Sequence, residues 1–584
     1  MTQPQTWRAR RTAYMHRVHA RRAARAKPAT AFVQQPEPRT IGRVARGRQL
    51  LAGNFLFAGT LTEAPSASLW DAGNRSALVL EEMHGCTWLD DLAAIADSRA
   101  RAKAQAWVQD WITRYGNGKS DGWTPDLVGR RLIRWINHGL FLLRGADTEA
   151  SLRFFRSLGQ QTIFLSRRWQ TATPGLARFE AVTGMIYAGL SLEGMERHVE
   201  PAIAALAKDC ETEIDARGGI ATRNPEALLE VFTLLNWAVL AISESDMTPP
   251  QSVHDAIARI APTLRALRHS DGGLARFHGG GRGMDGRLDN ALALSGNKDL
   301  PSEGLHMGFA RLSPGRLSLV VDAAPPPQGE ASVNGHASTL SFELTSGRRS
   351  LIVNCGSGAS FGPEWRRAGR ATPSHSTLGL EGYSSSRLGK PSRILNSGQE
   401  LLIDRPKRVQ CEFSKLGDGE RIELSHNGYQ LTHGLTHART IDITTDGRGL
   451  VGEDLITTLS EDDEDRFAKA VDQSNLLGVP FSIRFHLHPD VDAVLDLGGA
   501  AISLALKSGE IWVFRHDGSA ELTLEPSVYL ENGRLKPRAT KQMVLSGRTM
   551  NYATRVRWSL AKAQDTPDVV RDLAVAEEPA ALDD

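Results

Sequence analysis

An imidazole can pass a proton near neutral pH, and a guanidinium can hold a carboxylate through two parallel hydrogen bonds. Residues able to do this gather where the chain changes character. The segment Asp271-Gly272-Gly273-Leu274-Ala275-Arg276-Phe277-His278 runs into Gly279, Gly280 and Gly281, setting Arg276 and His278 beside a Gly-rich turn. Arg223 and Asn224 stand at the head of an apolar run opening with Pro225, where Asn also serves well as a helix N-cap. Arg178 and Glu180 open another such run, and His336 and His375 lie in the second half of the chain. His486 and His488 fall on one face of an expected strand, the right geometry for a metal but without a third ligand. Glu461-Asp462-Asp463-Glu464-Asp465 reads as a solvated acidic loop, lacking the Gly and alternating spacing of a calcium loop.

The elements that must position these residues fall into two blocks. Helical periodicity runs through 88–115, 125–143, 148–171, 176–192, 195–216, 225–243 and 250–267. Pro125, Pro225 and Pro250 stand at the starts of such runs, where a missing N–H costs nothing, and glycines follow the ends of others. Helices of similar length joined by short turns stack as a solenoid or close as an α/α toroid. After about residue 305 the pattern becomes short β-branched and aromatic runs between Gly, Asn, Asp and Ser: 317–321, 340–344, 350–354, 439–444, 481–488, 502–507, 511–515 and 555–559. These predict antiparallel sheets packed as a sandwich, with the boundary in 279–301.

With 584 residues the chain exceeds what one core usually supports, so two large domains plus tails are expected. The reading is a basic disordered arm over 1–45, a toroid over 46–290, a sandwich over 300–562 and an acidic tail over 563–584. Charged residues make up 23%, and no apolar run approaches the length of a bilayer span, which predicts a soluble body without a membrane anchor. Cys86, Cys210, Cys355 and Cys411 form no CxxC pair and read as buried thiols. The formal net charge of +2 argues against a nucleic-acid partner. The first thirty residues concentrate Arg8, Arg10, Arg11, Arg17, Arg21, Arg22, Arg25 and Lys27 with no acid and no secretory apolar core. Besides a disordered arm, this composition suits a helix on an anionic membrane surface. Trp88, Trp111, Trp123, Trp135, Trp169 and Trp237 read mostly as toroid core.

Three local patterns, in order, carry a resemblance. They are Gly218-Gly219-Ile220-Ala221-Thr222-Arg223-Asn224-Pro225; Asn334-Gly335-His336, leading to Ser341-Phe342 and then Asn354-Cys355-Gly356; and Arg370 to Thr377, which contains His375. Over residues 70–560 the chain resembles the heparinase II/III-like polysaccharide lyases. The resemblance implies a toroid followed by a sandwich, a periplasmic or envelope location, which the absence of a readable secretory signal leaves open to a cytoplasmic one, and β-elimination on an acidic, uronate-containing glycan. In that reaction one group removes the proton beside the carboxylate, another neutralises the carboxylate, and an acid protonates the leaving oxygen.

Several of the family's positions are changed. The first His of its His-x-His falls at Asn334, the second, a zinc ligand, at His336, the metal-site Asp at Asn354, and the later His at His375. Its catalytic Tyr falls at Ala227 and the next His at Leu228. The expected catalytic set is therefore His278 as base with Arg223 and Asn224, and the expected substrate-binding set is Arg178, Arg276 and His336. No cofactor is expected with certainty; zinc at His336 and His375 is the one candidate, and Asn354 is a poor ligand to complete it. The leading expectation is a lyase with its cleft between the halves. The rival is a non-catalytic acidic-glycan-binding protein that kept the fold, and a glycoside hydrolase using a pair such as Glu180 and Glu226 ranks third.

Overall fold

A computed structural model describes residues 7–26, 29, 31–73, 76–391 and 399–564. The expected acidic tail lies outside these residues from 565 onward. The helical half contains Ala77–Gly85, Trp88–Ile95, Ser98–Tyr115, Pro125–Asn137, Gly139–Leu143, Thr148–Arg168, Leu176–Ser191, Val199–Glu213, Pro225–Glu244 and Gln251–Ala266. Two expected helices are broken for local reasons. Ala96 takes a left-handed conformation (φ 59°) and Asp97 caps the next helix by accepting the Ala100 N–H, which splits 88–115. His138 divides 125–143, its ring bonded to the Asp90 carboxylate. Helix Leu176–Ser191 packs against Pro125–Asn137, Val199–Glu213 and Pro225–Glu244 at the centre of the toroid. Contact with Pro125–Asn137 is backbone to backbone: a Cβ on Gly184 would lie 2.4 Å from the Gly129 Cα. Pro225–Glu244 is long and apolar enough to cross a membrane, but most of its apolar side chains are in the toroid core.

The basic arm, expected to be disordered, carries helix Trp7–Ala23. It buries Ala9, His16, Ala20 and Ala23 and packs on Thr148–Arg168; Gln160 donates to the Ala24 carbonyl and Arg168 to His16. Its contact face is three alanines and a histidine, so hydrophobic periodicity does not reveal it. Helix Arg287–Ser295 likewise occupies part of the expected boundary loop.

The second half is a sandwich of two antiparallel sheets. One runs Val409–Leu416, Gly419–Tyr429, Leu435–Thr444, Gly449–Thr457, Ala553–Gln564, Ile511–His516, Ala501–Ala505 and Asp492–Asp496. The other runs Glu521–Tyr529, Arg538–Thr549, Val479–Leu487, Arg349–Val353, Phe342–Ser346, Leu317–Asp322 and Phe309–Leu312, with Leu378–Leu380 also paired to Val479–Leu487. Ile422, Ile441 and Trp558 from the first meet Leu319, Phe342 and Phe485 from the second in one core. The toroid core continues through Phe277 to Phe309 and Val320, so the halves share apolar packing where they meet.

The acidic run is not a loop: Glu461–Gln473 is a helix capped by Ser460, and negative charge in its first turn suits the helix dipole. Trp88, Trp111, Trp123, Trp135 and Trp237 are buried in the toroid core and Trp169 packs at its margin. Cys86, Cys210 and Cys355 are buried thiols, whereas Cys411 is only half-buried, on the edge strand Val409–Leu416.

Candidate functional site

Most of the candidate residues converge where the toroid meets the sandwich. Arg223 has a left-handed backbone (φ 51°) immediately before the helix that Asn224 caps by accepting the Ala227 N–H at 3.0 Å. Its guanidinium donates to the carbonyls of Met307, Gly308, Ala324 and Pro325 and to Asp322 Oδ1 at 2.6 Å, and it lies 4.6 Å from the Phe309 ring centre. Asp322 is fully buried, and its other oxygen accepts from the Ser338 hydroxyl at 2.7 Å. Arg223 therefore clamps the start of the sandwich to the toroid.

His278, also at positive φ (47°), is 1% exposed. Its Nδ1 accepts the His336 N–H at 3.1 Å, so the ring proton belongs on Nε2, which stands 3.5 Å from Asp322 Oδ2, too far for a hydrogen bond. Burial, followed by the nearby Arg223, His375 and Arg370, holds His278 well below the usual imidazole range. A general base works best with a pKa near the working pH and within reach of substrate. His278 meets neither condition in this conformation.

Arg276 is equally enclosed. Its backbone N–H donates to Glu343, its guanidinium donates to the Asn354 carbonyl, and the cation stacks 4.0 Å from the Tyr529 ring centre. Burial works against ionisation of Glu343, but His269 and Arg276 outweigh it and hold the carboxyl below its ordinary value. Burial pushes the Tyr529 hydroxyl up to about 12.

His336 and His375 face each other, Nδ1 to Nε2, at 3.0 Å, and His375 Nδ1 donates to the Ala371 carbonyl. Asn354 Oδ1 accepts from the Ser376 N–H at 3.0 Å. The two imidazoles thus bond to each other, and among the described residues no group of three His, Cys, Asp or Glu side chains is arranged to hold a metal ion. The donor set does not fit zinc. His486 is buried on the neighbouring strand, bonded to Ser527 Oγ at 2.8 Å and to the Pro373 carbonyl, while His488 packs against Tyr529.

Arg178 and Glu180 lie elsewhere. Arg178 closes the turn before its own helix by donating to the Gln170 and Ala172 carbonyls. Glu180 makes a two-point pair with Arg130, at 2.8 and 2.9 Å, inside the toroid. Glu226 instead accepts the Gly281 N–H at 2.7 Å, and burial raises its pKa. Sequence reasoning missed Asp322 and Glu343, the two acids that organise the cluster. The available signal was their place in strands: acids are rarely buried unless paired, and both strands are otherwise apolar or small. Two cavities, of about 590 and 640 Å³, are each lined by sandwich residues alone, the first by Arg484, Ser482, Ser546 and Arg548 among others.

Comparison with known proteins agrees with this architecture. Residues 298–559 match the family model described as heparinase II/III-like, C-terminal. Over 554 residues the chain is 28% identical to FtsZ-localized protein C of Caulobacter vibrioides, covering 94% of this chain and 92% of that protein. Among solved structures, heparinase III superposes with a TM-score of 0.68 at 12% identity, covering 94% of this chain and 89% of that one. A mutant of the heparan sulfate lyase HepC from Pedobacter heparinus gives 0.55 at 16%, covering 96% and 89%. Residues 298–559 thus match the heparinase II/III-like C-terminal family model, and the chain as a whole has a toroid-and-sandwich fold like that of heparinase III.

Proposed function

We propose that this chain is a non-catalytic member of the lyase fold that acts by binding, co-localised with FtsZ and resting on an anionic membrane through its N-terminal helix. One observation carries the loss of chemistry: His278, Arg223 and Arg276 are buried, and their polar atoms are engaged mainly by the protein itself. The resemblance puts the family's Tyr at Ala227, and the histidines of this cluster, His278, His336 and His375, are all buried. The same burial weighs against the acidic glycan as the ligand, since the two guanidiniums that would grip its carboxylate already hold Asp322 and flank Glu343.

Location is supported by the similarity to FtsZ-localized protein C, which extends over nearly the full length of both chains. Membrane contact is supported by helix Trp7–Ala23, whose outward stripe combines exposed Trp7 and Tyr14 with Arg8, Arg10, Arg11, Arg17, Arg21 and Arg22. Aromatic rings suit the bilayer interface, and each arginine near an anionic surface adds about 1 kcal/mol.

The purified chain is expected to produce no ultraviolet absorbance from a panel of uronate-containing glycans. A signal abolished by His278→Ala would overturn the non-catalytic reading. A fluorescent fusion is expected to coincide with FtsZ, and Trp7→Glu with Tyr14→Glu to weaken sedimentation with phosphatidylglycerol vesicles. A diffuse fusion, or vesicle binding indifferent to those changes, would count against the location and the membrane contact respectively.

A further inference from the structure

The end of the sandwich around helix Glu461–Gln473, beside Arg548, exposes a set of large apolar side chains. Leu459, Leu476, Leu477, Met550 and Tyr552 are each at least half exposed. They come from three segments that the fold draws together around helix Glu461–Gln473. Leu459 immediately precedes that helix; Tyr552 accepts the Thr458 N–H through its carbonyl and packs its ring 5.9 Å from Phe467 in the middle of the helix. Leu476 and Leu477 follow its C-terminus, where a Cβ on Gly478 would touch Met550 Sδ. A helix of this length spans about 20 Å, so the apolar line runs roughly that far beside it.

The loop that presents the leucines is a defined turn. Asn475 and Leu476 both have left-handed backbones (φ 55° and 61°), and their N–H groups donate to the Asp472 and Val471 carbonyls. Such conformations are costly for residues other than glycine and persist where the surroundings hold them. Here the hydrogen bonds hold the two leucines in an exposed turn.

The adjoining helix is strongly acidic. Asp463 is buried, engaged by Gln430 and Arg466, and serves the fold. Glu461, Asp462 and Asp465 are exposed and Glu464 is half-exposed in the same turn, with Asp472 exposed further along, against Arg466 and Lys469 as the helix's basic residues. Arg548, which donates to the Leu477 and Gly478 carbonyls, is the cation at the leucine end, so negative charge prevails along the helix and at its N-terminal end; that balance favours a segment that is both apolar and basic over an anionic membrane.

We propose that this face is a docking surface for a partner's short amphipathic peptide segment carrying leucine- or phenylalanine-type side chains together with lysine or arginine. Leu476, Leu477, Met550 and Tyr552 take its apolar side, and Glu461, Asp462, Glu464 and Asp465 meet its charges. The surface is separate from the buried cluster and from helix Trp7–Ala23, so it stands whether or not the chain is catalytic or membrane-bound.

The test uses the full chain and two fluorescein-labelled synthetic peptides of leucine and phenylalanine, one interspersed with lysine and the other with glutamate in the same positions, followed by fluorescence anisotropy. The basic peptide is expected to bind at least about tenfold more tightly than the acidic one, with the difference shrinking as salt rises. Asp462→Lys with Asp465→Lys should reverse the preference, and Leu476→Asp with Leu477→Asp should abolish binding while leaving the thermal melt in place. Equal binding of the two peptides, or indifference to the charge reversal, overturns the proposal. So does a leucine-dependent affinity for phosphatidylglycerol vesicles without peptide binding, which would make the face a membrane contact. Leucine-dependent self-association in sedimentation velocity without peptide binding would instead make it a contact between copies, and equally overturns it.

Discussion

Asp322→Ala is expected to destabilise the protein by about 3–5 kcal/mol, the usual cost of leaving a buried charge without its partner. The carboxylate answers Arg223 at 2.6 Å and Ser338 at 2.7 Å from a fully buried position, and the guanidinium it would abandon is itself 8% exposed. Replacing both members with apolar residues, as in Arg223→Met with Asp322→Leu, is often harmless for isolated buried pairs. It should not be harmless here, because Arg223 also satisfies the carbonyls of Met307, Gly308, Ala324 and Pro325, and unmet buried acceptors carry their own penalty. The double variant is expected to be less impaired than the sum of the single variants and still clearly weaker than the parent. Urea unfolding followed by tryptophan fluorescence measures this. Because the pair bridges the two halves, the Asp322→Ala transition should also broaden or split as toroid and sandwich part company. A single sharp transition within 1 kcal/mol of the parent would show that Arg223 is not the clamp described.

That clamp explains why the fold was more legible in the sequence than the site. Helix starts at Pro125 and Pro225 and the strands around Phe342, Ile441 and Phe485 follow from local periodicity and punctuation, and the structure has them within a few residues. Helix Trp7–Ala23 could be read only as the alternative to a disordered arm because Ala9, His16, Ala20 and Ala23 make its buried face, leaving no large apolar period to read. The acidic run 461–465 was misread because its charge looked like a reason for a loop, whereas Ser460 and the helix dipole make it a helix start. At the site, Arg223, Asn224, Arg276, His278 and His336 could be named from types and motif positions, and they do converge. What spacing could not show is that Asp322 and Glu343, about 99 and 67 residues away from Arg223 and Arg276 respectively, would arrive from strands to engage them. Those long-range pairs place Arg223 and Arg276 against buried acids of the sandwich. Arg178 has local partners instead, the carbonyls at 170 and 172.

Stability is expected to fall as the pH drops from about 6.5, well before ordinary carboxylates begin to titrate. Burial is the leading cause in each of the histidines involved: it lowers His375 and His488 to about 4 and His486 to about 3, and carries His278 and His336 well below the usual value. An unfolded histidine takes up its proton near 6.5 and these folded ones do not, so acidification favours the unfolded chain from that pH down through the folded values. Each such ring contributes a slope of about 1.4 kcal/mol per pH unit across its window. Asp454 behaves differently in range, not in sign: burial opposes its ionisation, but Arg439 and His437 outweigh that and hold it far below the carboxylate range, so its contribution is lost only below about pH 4. The raised acids Glu180 and Glu226 act in the opposite sense, regaining stability as they take up protons in the folded state ahead of the unfolded one. Urea midpoints measured from neutral to mildly acidic pH should therefore decline across the histidine window. A His486→Asn chain should decline less steeply, by about one proton's worth of slope, whatever its absolute stability. A flat profile down to the carboxylate range, or an unchanged slope in that variant, would mean that these rings are protonated in the folded protein and that the buried cluster is wetter and more open than its geometry indicates.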